Sequence, residues 1–181
     1  MFSGKRIFFS SLLMLVLMLA ACGNNLLPSG EDKRAAATGG AGNATSQTAP
    51  AFTMGDTNGG AVSLAALNAA GKHVVLYFTM WCPICDAHMQ HMQSKAMVQY
   101  PNVAYIAVDY LSGSVAGAAA AQSSAGYGSS PFIVAADVGQ TVMNAYHATM
   151  GTTVVIDKTG VIRMNEDYKD GASLLAALGA L

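Results

Sequence analysis

The chain has 181 residues, a formal net charge of −1 and only 10% charged residues. That balance excludes the broad basic surface that nucleic-acid binding calls for, so no nucleic-acid partner is expected. The apolar fraction of 52% is inflated by the N-terminal residues, and the length allows one domain with an appendage.

Lys5 and Arg6 precede Ile7–Leu19, a thirteen-residue apolar run. The run is shorter than the ~20 residues of a spanning helix and matches the hydrophobic region of an export signal. Leu19-Ala20-Ala21-Cys22 follows and resembles the bacterial lipobox. The resemblance implies a signal peptide over residues 1–21, cleavage before Cys22, and acylation of the cysteine's sulfur and new amino group. It places the protein in the cell envelope, lipid-anchored to the inner or outer membrane, with its domain in the periplasm. Several acyl chains anchor stably where a single chain is marginal. The plainer alternative is an ordinary signal peptide with a chance cysteine.

Residues 22–49 read as the lipidated cysteine and a flexible linker. Gly, Ala, Ser and Thr dominate it, and so little apolar surface cannot offset the entropy of ordering it. As a coil, the 27 residues after Cys22 span roughly 30 Å, enough to hold a domain off a membrane.

Residues 50–181 are expected to fold as one domain. Val74–Phe78 is a β-branched and aromatic run suited to a buried strand. Cys82–Gln99 carries no glycine and predicts a helix. Val103–Tyr110 is a second buried strand, followed by an Ala-rich helix and a short extended segment over Pro131–Asp137. Gln140–Ala148 predicts a helix. Thr152–Asp157 and Val161–Tyr168 flank Lys158-Thr159-Gly160, the spacing of a hairpin with a glycine turn. An apolar helix closes the chain. Strands alternating with helices, then a hairpin and a helix, indicate an α/β sandwich around a mixed sheet.

With Cys22 assigned to lipid, the exported part has two cysteines, Cys82 and Cys85, in a compartment where disulfides persist. A C-x-x-C at the junction of a buried strand and a helix points to a redox motif. Around it, PAFTMGDTNGGAVSLAAL, GKHVVLYFTMWCPIC and GTTVVIDKTGVI resemble the redoxin branch of the thioredoxin superfamily, nearest to the TlpA/ResA-like thiol-disulfide oxidoreductases. The resemblance implies a thioredoxin-like α/β fold, a mixed central sheet flanked by helices. It also implies a membrane-tethered enzyme that reduces disulfides of exported proteins without a cofactor or metal, with Cys82 attacking and Cys85 resolving. Its partners would be exported thiol or disulfide proteins and an electron donor.

The residue chemistry is consistent with these roles. A sulfur at a helix start faces unpaired backbone N–H groups and the positive end of the helix dipole, which favours the nucleophilic thiolate. Pro83 fits the first helical turn, where its missing N–H costs nothing. Trp81 offers a flat apolar surface beside the sulfur. Three positions depart from the family pattern. Gly151 stands where the family places a cis-proline facing the cysteines, and with Thr152 it is expected to offer backbone groups to an incoming peptide. Leu76 stands where thioredoxins bury an acid, and His88 where the TlpA/ResA type carries a glutamate. His88 lies one turn after Cys85 and has the chemistry of a general base for it; a histidine without a role is the alternative. His91 and His147 read as surface residues, and His73, after a Gly-Lys turn, suggests no role.

Other functions remain open. Cys82, Cys85, His88, Met89, His91 and Met92 offer soft ligands for Cu(I). On a helix each i,i+3 step turns by about 60°, so His91 lies opposite Cys82 and a four-ligand site is excluded. A site of two or three ligands survives, Cys82 and Cys85 with or without His88, whereas the methionines are better read as core. A peroxidase is the lesser alternative: Thr79 precedes Cys82 by three residues, but the prolines of that pattern are missing. A redox-inert binding module with the same fold is the last.

Overall fold

A computed structural model describes residues 40–181; the expected signal peptide, Cys22 and the expected linker up to residue 39 lie outside the described residues. The strands are β1 (Thr53–Asp56), β2 (Ala61–Ser63), β3 (Val74–Thr79), β4 (Ala104–Asp109), β5 (Ile133–Ala136), β6 (Thr152–Ile156) and β7 (Ile162–Asp167). They form one mixed sheet in the order β2-β1-β5-β4-β3-β6-β7. β4 is central and runs parallel to β3 on one side and β5 on the other; β1, β2, β6 and β7 pair antiparallel.

The helices are α1 (Leu64–Ala69), α2 (Pro83–His91), α3 (Met97–Gln99), α4 (Val115–Ser124), α5 (Thr141–Ala145) and α6 (Ala172–Gly179). A π-helical turn, Met92–Ala96, joins α2 to α3, so the expected helix over Cys82–Gln99 is present but not uniform. The strict alternation of side chains along a strand divides the core in two. Val74, Leu76 and Phe78 of β3 join Ile106, Val108, Val154 and Ile156 on one face, under Leu64 of α1 and Val142 of α5. Val75 and Tyr77 join Ala107, Val134, Val155 and Met164 on the other, under Cys85 and Met89 of α2 and Leu174 and Leu178 of α6.

The β1–β2 hairpin is the main element that the sequence reading missed. Its apolar residues are few, and the turn residue Asp56 does the local work: its carboxylate accepts from Asn58 N–H at 2.8 Å and Gly60 N–H at 3.0 Å. The domain also starts earlier than Pro50. Ser46 N–H donates to Ile162 C=O at 2.8 Å, Ile162 N–H to Gln47 C=O at 2.9 Å, and Ala49 N–H to Gly160 C=O at 2.9 Å. Small side chains that argue for a flexible linker also let a backbone lie flat on the edge of β7, where unpaired groups await a partner.

Candidate active site

β3 delivers the site. After Thr79 the chain turns sharply at Trp81, whose φ of 58 lies in the left-handed region that bulky residues avoid. Such a conformation costs on the order of 1–3 kcal/mol and persists only where its surroundings fix it. Here Trp81 N–H donates to Thr79 Oγ1 at 3.1 Å, and Trp81 Nε1 donates to Asp109 Oδ2 at 2.7 Å. The indole packs beside Tyr127, with ring centroids 6.0 Å apart. Asp109, buried at the end of β4, also accepts from Leu111 N–H, Ser112 N–H and Ser112 Oγ. It thus ties the Trp81 turn to the neighbouring loop. Sequence reading passed over it as the polar end of a buried strand.

Cys82 is the N-cap of α2: its backbone is extended and its sulfur accepts from Cys85 N–H at 3.2 Å. Pro83 takes the first helical position. Cys82 is half-buried, whereas Cys85 is fully buried. The two sulfurs are 2.7 Å apart and share a hydrogen bond. Burial pushes the Cys85 thiol up, but hydrogen bonds from Cys82, from the backbone at Met80 and Cys82 and from Thr79 outweigh it and hold it below the ordinary thiol value. The proton shared between two such sulfurs belongs to the pair.

His88 is half-buried, and its Nδ1 lies 2.9 Å from the hydroxyl of Tyr77, which is fully buried beneath α2. The His88 ring also lies 4.5 Å from that of Tyr168. Burial, then the neighbouring His91, holds His88 below the ordinary imidazole value. Tyr77 is pushed up strongly by burial and then by Cys85, which acts on it as both a charge and a hydrogen-bond partner. His91 is not a bare surface residue, since its Nδ1 is paired with Tyr168 Oη. His147 is exposed, and His73 Nδ1 accepts from Lys158 N–H at 3.3 Å, away from the site.

The structure corrects the reading of Gly151 and Thr152 as docking groups. Gly151 N–H donates to Phe78 C=O at 2.9 Å, and its C=O accepts from Tyr168 N–H at 2.8 Å, so both backbone groups are spent inside the sheet. No cis peptide bond occurs among the described residues, and Gly151 has φ 85, which proline's ring forbids. A side-chain carbon at Gly151 would lie 3.8 Å from the His88 ring, so the residue backs onto His88. Thr152 is buried and donates to Asp167 Oδ1 at 2.9 Å.

The copper reading also loses its third ligand: among the described residues no three His, Cys, Asp or Glu side chains are grouped to hold a metal, and His88 Nδ1 is engaged by Tyr77. Met89 and Met92 are core residues, as expected. Thr79, the residue behind the peroxidase reading, accepts from Trp81 N–H at 3.1 Å and helps to lower the Cys85 thiol.

A profile of the AhpC/TSA family matches residues 45–165. The chain belongs to the AhpC/TSA family. No curated protein matches it. Among solved structures it resembles a candidate protein disulfide isomerase from Bacteroides thetaiotaomicron, at 22% identity and TM-score 0.62 over 75% of this chain and 86% of that one. A secreted Mycobacterium tuberculosis disulfide oxidoreductase homologous to E. coli DsbE matches at 21% identity and TM-score 0.55, over 72% and 96% of the two chains. A candidate thiol:disulfide interchange protein DsbE from Chlorobium tepidum matches at 22% identity and TM-score 0.60, over 75% and 98%. The fold of this redoxin is therefore thioredoxin-like, as its sequence led us to expect. Among the described residues no helix is long and apolar enough to cross a membrane.

Proposed function

We propose that this redoxin is a membrane-tethered thiol-disulfide oxidoreductase that reduces disulfides of exported proteins. The observation that carries the reading is the asymmetry of the thiol pair: sulfurs 2.7 Å apart, one half-buried at a helix N-cap and the other fully buried. Cys82 thiolate attacks one sulfur of a substrate disulfide, forming a mixed disulfide and expelling the first substrate thiolate. Cys85 then attacks Cys82 Sγ, closing the protein disulfide and releasing the second thiolate. The protein pair is oxidised by two electrons and the substrate is reduced by two. A thiol donor returns the pair to its reduced form. Exposed Met80 and Ile84, with Leu111, give a partner an apolar seat around Trp81 and Cys82. The tether is the acylated Cys22, after removal of residues 1–21, with the domain in the periplasm; a membrane-bound chain that still began at Met1 would exclude it.

Trapping tests the roles. Cys85→Ser should accumulate mixed disulfides with exported proteins, separable by non-reducing electrophoresis, and Cys82→Ser should not. The reverse pattern would exchange the roles, and no trapping by either variant, in folded proteins, would sink the enzyme reading.

A further inference from the structure

Cys85 is fully buried, so when it attacks the mixed disulfide its proton has no direct route to water. Leu76, where an acid is expected, points to the opposite face of the sheet. The residue that does lie under the thiol is Tyr77. Its hydroxyl lies 2.9 Å from His88 Nδ1, and its side chain shares the buried layer under α2 with Cys85, whose charge and hydrogen bonding add to burial in pushing the tyrosine up. His88 is fixed in this pose by the edge-on Tyr77 ring, with centroids 6.0 Å apart, and by the Tyr168 ring at 4.5 Å.

We propose that Tyr77 conducts the proton of Cys85 to His88 during resolution, so that a tyrosine–histidine pair takes the place of a buried carboxylate in this site. The inference rests on the oxidoreductase reading. As Cys85 Sγ bonds to Cys82 Sγ, the bond from Cys82 to the substrate sulfur breaks and the substrate leaves as thiolate. The Cys85 proton passes to Tyr77 Oη while the hydroxyl proton of Tyr77 passes to His88 Nδ1. The imidazolium so formed gives up a proton to solvent from its half-exposed ring, and the expelled thiolate takes one up. Tyr77 never bears a charge in this exchange, in keeping with the burial that strongly opposes its ionisation. His88, held below the ordinary imidazole value by burial and by His91, is a neutral acceptor at neutral pH. The other titratable groups around it are Cys85 and His91 on α2, Tyr77 on β3 and Tyr168 beyond β7. Tyr168 is pushed up to about 12 by burial and Asp170, so it stays neutral as well.

The experiment uses the reduced full chain and a limiting amount of a chromogenic aromatic disulfide. Attack by Cys82 releases one coloured thiolate in a bimolecular phase. Resolution by Cys85 releases the second in a phase independent of concentration. Tyr77→Phe should slow the second phase about 10–100-fold and leave the first within about twofold, the range of one general-base contribution. His88→Gln keeps an acceptor for the Tyr77 hydroxyl but cannot take its proton, so it should slow the second phase similarly. In the unmodified protein the second phase should fall as pH drops through the His88 titration, below the ordinary imidazole value, and His88→Gln should abolish that inflection. A His88→Gln protein with the unmodified rate and pH profile would overturn the relay, as would equal slowing of both phases in Tyr77→Phe. Absence of any second phase in the unmodified protein would instead remove the oxidoreductase reading, and the relay with it.

Discussion

Val74, Leu76 and Phe78 point from β3 into a layer built of aliphatic and aromatic side chains, whereas Val75 and Tyr77 point into the layer that holds Cys85, Met89 and the tyrosines. The same strand thus serves two different interiors. Among polar groups on the first face, the Tyr146 hydroxyl is satisfied by Pro50 C=O at 2.6 Å. On the second face the Tyr105 hydroxyl likewise donates to backbone, at Ala96 C=O, but around Cys85 the polar groups meet one another: thiol with thiol, tyrosine with histidine. The difference teaches that one residue of strand register decides whether a side chain reaches the chemistry.

The largest expected effect separates the faces by stability. Leu76 is fully buried among aliphatic neighbours. Leu76→Ala should cost about 2–5 kcal/mol in denaturant unfolding, because the cavity cannot collapse against a sheet. The folded fraction should retain normal phases of attack and resolution. A selective loss of the resolving phase would break the division between the faces and put Leu76 back in the site.

Asp109 sharpens the comparison from the chemical side. It accepts four hydrogen bonds, one of them from the indole of the strained Trp81. Asp109→Asn keeps the shape but replaces part of this acceptor with a donor. A cost of about 1–3 kcal/mol is expected, as for a buried polar group left badly paired. Unlike Leu76→Ala, it should also slow the bimolecular attack by Cys82, because the turn preceding that cysteine loses its anchor. A change confined to stability would show that Trp81 needs no fixing for attack.

Much of this site was legible in the chain because the signals are local. A buried strand, then Trp81, Cys82 and Pro83, specify a strand-to-helix junction with a sulfur at the cap. What was not legible depends on register and on long-range pairing. The position six residues before Cys82 drew the eye to Leu76, yet the period of two along β3 sends Tyr77, not Leu76, toward Cys85. Gly151 resembled a vacant proline position, but its backbone is spent on Phe78 and Tyr168, which only the sheet brings together. Asp109 gained meaning only when β4 was laid beside β3, 28 residues of sequence away from Trp81. The β1–β2 hairpin escaped for a related reason: three-residue β2 has too few positions for a pattern to emerge.

The smallest expected effect lies far from the thiols, in the turn between β6 and β7. Asp157 there accepts from Thr159 N–H at 2.8 Å, Thr159 Oγ1 at 2.6 Å and Val161 N–H at 3.0 Å, and pairs with Arg163. Burial pushes its carboxyl up, but these hydrogen bonds prevail and lower it from 3.8 to about 2. A folded-state value below the unfolded one stabilises the fold wherever the carboxylate is ionised in both states. The contribution is therefore fully present above about pH 4 and is lost as pH falls from about 4 to about 2. Asp157→Asn keeps one acceptor oxygen and loses the charge, so a cost of about 1–2 kcal/mol at neutral pH is expected. The variant and the unmodified protein should converge in stability as pH falls through that window. Because the turn touches neither thiol, both reaction phases should be unchanged. An unfolding difference that persisted undiminished at pH near 2 would mean the carboxylate's charge is not what holds the turn, and a slowed resolving phase would show the two ends of the sheet to be coupled.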